Sequence, residues 1–201
     1  MQTLTQFLKR LARWLGLGAE TESGDPLVDL AQKIEPRAGL EALVLTDSQK
    51  AMLENILERA RQERGSRGDG TIVLFTGADG TKKVATAAGV AKDLQRDLYR
   101  VDLSKVVSKY IGETEKNLRL LLSAAERTQA ILFFDEADPL FGKRSEVKDS
   151  HDRYANIEIN YLLQRLTSYQ GISILTSNDE KQIEVLHRLR FVIDFPYPSQ
   201  R

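Results

Sequence analysis

Cysteine is absent from the 201 residues, so neither a disulfide nor a thiolate metal site can form, and a reducing cytoplasm is the simplest home. Histidine occurs only at His151 and His187, too few and too isolated for a zinc site. No apolar run approaches the ~20 residues that a membrane-crossing helix needs. An excess of either charge is lacking too. With 29 basic and 29 acidic residues the formal net charge is zero, which gives no duplex-binding footprint and argues against a nucleic-acid partner. What remains is ordinary for a globular chain, 41% hydrophobic and 29% charged, long enough for one good core plus appendages.

The chain divides by pattern into four parts. In residues 1–18, Leu4, Phe7, Leu8, Leu11, Trp14 and Leu15 recur at helical spacing with Lys9, Arg10 and Arg13 between them. Such an amphipathic helix packs on its own domain, docks on a partner, or rests on a membrane surface as a peripheral anchor. Residues 19–26 read as a short acidic linker. Residues 27–70 form a helical lead-in: 27–64 are helical by pattern, with a start at Thr46-Asp47 and Leu53, Ile56, Leu57 and Ala60 on one face, and 65–70 are a joint. From residue 71 to 201, strands alternate with helices. Strands are expected at 71–76, 98–102, 131–135, 172–176 and 191–195, and helices at 83–94, 113–127 and 153–169. That alternation predicts an α/β fold with a mainly parallel five-stranded sheet covered on both faces.

Residues 131–138, Ile-Leu-Phe-Phe-Asp-Glu-Ala-Asp, concentrate the chemistry. Four apolar residues make a buried strand, and two carboxylates follow where it emerges. In a phosphate-handling domain those positions suit a metal ligand, Asp135, and a water-activating base, Glu136. Upstream lies Gly77-Ala78-Asp79-Gly80-Thr81-Lys82-Lys83-Val84, a near match to a phosphate-binding loop. Such a loop needs glycines that let backbone N–H groups point inward, a lysine for the phosphates, and a hydroxyl for Mg²⁺. Gly77, Gly80 and Lys83 stand where they should. Lys82 replaces the glycine before the lysine, Val84 replaces the hydroxyl, and Asp79 adds a negative charge.

Further motifs carry a resemblance to the AAA (AAA+) ATPase family. The segment Ser108-Lys109-Tyr110-Ile111-Gly112-Glu113-Thr114-Glu115-Lys116-Asn117-Leu118-Arg119 resembles the signature after that family's second strand. Residues 131–138 are similar to its Walker B box, Thr176-Ser177-Asn178 to its sensor-one strand end, and Arg188-Leu189-Arg190-Phe191 to its arginine-finger segment. The resemblance covers roughly residues 40–201 and implies a P-loop core with strand order 5-1-4-3-2. It also implies ATP and Mg²⁺ as cofactors, a homo- or hetero-oligomeric ring (a hexamer in the family) with AAA paralogues, and a polypeptide client. Residue by residue it implies that Gly77 through Val84 face the phosphates and that Asp135 holds the Mg²⁺ shell. Glu136 then polarises water, Asn178 positions it, Arg190 acts in trans on a neighbour, and Tyr110, Ile111 and Gly112 line the pore.

The departures from the family set the functional expectation. His187 occupies the first of two trans-acting arginine positions, a poor substitute for a permanent cation. The polar stretch 142–152 fits a second pore loop. The family's helical lid follows the fifth strand, whereas this sequence stops six residues past Phe195, so nucleotide is expected to be poorly enclosed. Together with Lys82 and Val84 these features lead to an AAA-family subunit that binds nucleotide with weak or lost hydrolysis, in or beside a ring that remodels proteins. Two alternatives stay open: an active ATP-hydrolysing remodeller, and a non-catalytic scaffold docking through residues 3–17.

Overall fold

The computed structural model describes residues 26–62, 70–106, 112–137, 161–178 and 189–197. The expected amphipathic helix at 3–17, most of the linker and the 65–70 joint lie outside them. So do Tyr110, Ile111, the stretch 142–152, His187 and Arg188.

The sheet forms where the sequence is apolar on both sides of the pleat. Thr71–Thr76 (β2), Leu98–Val101 (β3), Ile131–Phe134 (β4), Ile172–Thr176 (β5) and Phe191–Asp194 (β6) are parallel, and β4 and β5 are buried at every residue. Strands buried on both faces are expected to be near-continuous apolar runs, as these are. Numbered among themselves, these five strands run 5-1-4-3-2, the order that the family resemblance implied. A sixth strand, Ala31–Ile34 (β1), extends the sheet by pairing antiparallel with β3, which gives the full order β1-β3-β4-β5-β2-β6.

That sixth strand corrects the helical reading of residues 27–64. Leu27, Leu30, Ala31 and Ile34 fall at helical spacing, yet the helix (α1) is only Pro26–Leu30 and the chain turns extended at Ala31. The edge of β3 supplies the reason: its outward N–H and C=O groups need a strand, which a helix cannot provide. A short 3₁₀ turn follows at Leu40–Ala42, and the long helix Asp47–Gln62 (α2) begins where expected. Its start is a capping box. The Thr46 N–H donates to Gln49 Oε1 at 2.9 Å, and the Gln49 N–H donates to Thr46 Oγ1 at 3.2 Å.

Helices cover both faces. On one side α2 and Gly80–Leu94 (α3) press Leu53, Ile56, Ala87 and Val90 onto Val73, Phe75, Phe133 and Ile174. After the short helix Leu103–Val106 (α4), the opposite face is covered by Glu113–Thr128 (α5) and the helix at 161–168 (α6). These bring Leu118, Leu121, Leu162 and Leu166 onto Leu74, Leu132, Phe134 and Leu175. The β2-to-α3 connection and the ends of β4 and β5 therefore open on one rim of the sheet, where Gly77 through Val84, Asp135, Glu136 and Asn178 lie, whereas Arg190, at the start of β6, is at the opposite edge.

Candidate functional site

The β2–α3 connection is three residues long, Gly77 to Asp79, because α3 starts at Gly80 rather than at Lys83. Gly77 has φ +90°, and a Cβ there would lie 2.3 Å from the Phe195 carbonyl oxygen, so both backbone conformation and space require glycine. Asp79 caps the helix: its Oδ1 accepts the Lys82 N–H at 2.9 Å. The neighbouring N–H groups are also committed. Asp79 N–H donates to Phe195 O at 3.1 Å, Gly80 N–H to Ala78 O at 3.0 Å, and Lys83 N–H to Asp79 O at 3.1 Å. Gly77, Ala78, Asp79, Gly80, Thr81, Lys82, Lys83 and Val84 thus form a strand-loop-helix junction whose helix N-terminus already holds a carboxylate.

Lys83 is buried at 2% exposure, and its Nζ donates to Ser177 O at 2.8 Å and to Asn178 Oδ1 at 3.2 Å. This joins the loop to the end of β5. Thr176 joins β5 to the end of β4: its hydroxyl donates to Asp135 Oδ1 at 2.9 Å and accepts the Glu136 N–H, also at 2.9 Å. Glu136 N–H lies 3.1 Å from Asp135 Oδ1 as well. The other Asp135 oxygen, Oδ2, accepts from the Arg100 guanidinium on β3. Arg100 pairs in register with Phe133, two residues before Asp135, so the two side chains meet diagonally on one face of the sheet.

The structure therefore brings Lys83, Asn178, Asp135 and Glu136 together around the ends of β2, β4 and β5. Arg190 is not part of that group in its own chain. It is exposed at the start of β6, with its Cζ 5.9 Å from the centre of the Phe191 ring, beside a cleft of about 480 Å³ lined also by Met52, Glu58 and Arg59. Gly112 caps the start of α5 with φ +83°. Arg100 escaped the sequence reading, although a lone charge between Tyr99 and Val101 in a buried strand was a usable signal. Gln49 did too. Its Nε2 donates to Asp194 O at 2.6 Å, and the Thr46-to-Gln49 capping-box spacing was the clue.

The fit of the implied cofactors follows from these bonds. For Mg²⁺ the ligand set is poorer than the family pattern implies: Val84 offers no oxygen, and both Asp135 oxygens already accept hydrogen bonds. The phosphates of a nucleotide fit the junction only after N–H groups now bonded within the chain are released. The Asp79 carboxylate must yield the Lys82 N–H, an exchange that costs about 1 kcal/mol of capping energy.

The profile of the ATPase family associated with various cellular activities (AAA) matches residues 73–198. The chain is 29% identical over 169 residues to the uncharacterized AAA family ATPase y4kL of Sinorhizobium fredii, covering 81% of this chain and 51% of that protein. It is 31% identical over 138 residues to the proteasome-activating nucleotidase of Aeropyrum pernix, covering 64% of this chain and 34% of that one. The chain thus spans about half the length of the first of these relatives and a third of the second. Among solved structures, the FIGL-1 AAA domain in complex with ADP superposes with a TM-score of 0.62 at 19% identity, over 90% of this chain and 65% of that one, which supports the fold. Among the described residues no helix is long and apolar enough to cross a membrane. A family match spanning most of the chain, on a sheet in which β5 lies between β2 and β4, makes this protein a member of the AAA family.

Proposed function

We infer that this chain is an AAA subunit that binds adenine nucleotide and hydrolyses it weakly or not at all, working in or beside a ring, a hexamer in the family, that remodels polypeptides. The observation that carries the reading is the β2–α3 junction, where the N–H groups of Asp79, Gly80 and Lys82 bond within the chain. A preorganised phosphate site holds such groups open toward the ligand, and a junction that must first be opened loses that advantage. In this reading Gly77 through Val84 hold the phosphates, with Lys83 contributing its charge. ATP, when bound, would supply the phosphoanhydride bond, and Glu136 and Asn178 are the residues assigned to orienting the water. Arg190, exposed at the start of β6, serves a neighbouring subunit, and Tyr110, Ile111 and Gly112 grip the client. Proteasome-activating nucleotidase among the relatives supports a polypeptide client.

The test is a titration of the purified chain with labelled ATP, followed by a turnover assay beside Glu136→Gln. Binding at micromolar concentration with turnover equal to that of Glu136→Gln is expected. Turnover well above that variant would instead establish an active remodeller, a reading favoured by the assembled Lys83, Asn178 and Glu136. No binding would leave a scaffold, and the parts played by residues 1–18 as a docking arm and by 71–201 as the AAA core would then be separated by deletion.

A further inference from the structure

We propose that the groove between α2 and the free edge of β6 binds an extended peptide, which adds to the sheet as an antiparallel seventh strand. The inference lies outside the nucleotide reading and does not depend on it. Among the described residues β6 ends the sheet and pairs only with β2. Phe195 N–H donates to Thr76 O, so by the alternation of the ladder Ile193 and Phe195 turn their backbone groups to β2, and Val192 and Asp194 turn theirs outward. The outward Asp194 carbonyl already accepts from Gln49 Nε2 at 2.6 Å. Among the described residues nothing pairs with the outward N–H and C=O of Val192 or with the Asp194 N–H. Such an edge is a template for another strand. The helix α2 runs beside it without covering it. A cleft of about 260 Å³ lies between Ser48, Gln49 and Met52 on the helix and Val192 and Asp194 on the strand, and one of about 480 Å³ continues past Met52 to Arg190. From Arg190 to Pro196 the edge offers about 20 Å, room for about six extended residues. The two ends differ in charge: Arg59 and Arg190 outnumber Glu58 at one, and the exposed Asp194 stands at the other. A peptide with a basic N-terminal residue, an apolar centre against Met52 and Val192, and an acidic C-terminal residue therefore fits antiparallel to β6.

The experiment is fluorescence anisotropy of the full chain with a labelled, end-blocked peptide, Lys-Thr-Val-Thr-Val-Glu, in the absence of nucleotide. Saturable binding at micromolar concentration is expected, with the reversed peptide, Glu-Val-Thr-Val-Thr-Lys, about fivefold weaker or more. Val192→Pro removes one outward N–H, leaves the bonds to β2 in place, and should weaken binding about fivefold. Arg190→Glu should weaken it by a similar factor, and binding should recover when the terminal Glu of the peptide is replaced by Lys. Circular dichroism checks that both variants fold. No saturable binding, equal affinity for the forward and reversed peptides, or unchanged binding by both folded variants would overturn the proposal. A chain that dimerises in sedimentation and is made monomeric by Val192→Pro would overturn it too, by giving the groove to a second copy. Because nucleotide is absent from the measurement, each of these failures leaves the nucleotide-binding reading standing.

Discussion

Tyr169 is among the largest fully buried side chains, and its hydroxyl donates to the Ala130 carbonyl at 2.6 Å, fastening the end of α6 to the start of β4. Burial disfavours the phenolate and raises the pKa well above the usual value near 10, and the Glu126 charge adds to this while Arg96 opposes it. Because the folded pKa is the higher one, this group's contribution to stability is complete below about pH 10 and is lost as the pH climbs above it. Tyr169→Phe should cost about 1–2 kcal/mol at neutral pH, by leaving the Ala130 carbonyl unpaired in the core. It should also narrow the alkaline loss, so that melting temperatures of the two proteins converge between pH 9 and about 11; a constant gap would refute the assignment. Glu136 poses a different residue-scale question. It has φ +52°, a left-handed conformation that costs a non-glycine residue about 1 kcal/mol or more. Thr176 holds it there through the backbone N–H, so its carboxylate is set by the turn rather than by side-chain packing.

At the scale of single elements, α3 shows how a helix boundary alters a site. The glycine and lysine spacing suggested a helix from Lys83, but Asp79 is a good cap and Gly80-Thr81-Lys82 continue smoothly into the helix, so three loop residues are drawn into its first turn. Capping decided the boundary, and motif spacing cannot register that competition. Asp79→Asn keeps a cap acceptor and removes the charge facing an incoming phosphate. Stability should stay within about 0.5 kcal/mol of the wild type while ATP affinity rises several-fold, as read by denaturant melts and by titration. Unchanged affinity would mean that the carboxylate does not compete with ligand. The misreading at β1 has a related origin. Its apolar positions satisfy a helical stripe, and only the unpaired edge of β3, remote in sequence, makes the extended form better. Conversely the buried strands were legible, because an unbroken run such as Ile131–Phe134 has few other uses.

For the molecule as a whole, two apolar layers back on one sheet, and the lead-in belongs to that body. Leu27 is 1% exposed within the same cluster as Leu118, Leu121 and Phe134. Leu27→Ala should therefore destabilise by about 2–5 kcal/mol and shift the single unfolding transition in urea. A separate early transition would instead mark residues 27–70 as an independent unit. The candidate site was legible wherever it depends on strand ends, as with Asp135, Glu136 and Asn178, and illegible where it depends on cross-strand contact, as with Arg100. The strand β6 links the two halves of the proposed machinery. Arg190 precedes it, and at its far end Phe195 is bonded to Thr76 and Asp79 while Thr76 Oγ1 donates to Asp194 Oδ1 at 3.1 Å. A four-residue strand is about 13 Å of extended backbone, here paired along one side with β2. It spans the sheet like a strut, so that the hydrogen bonds of Phe195 at one end tie the Gly77–Asp79 turn to the strand that Arg190 precedes at the other.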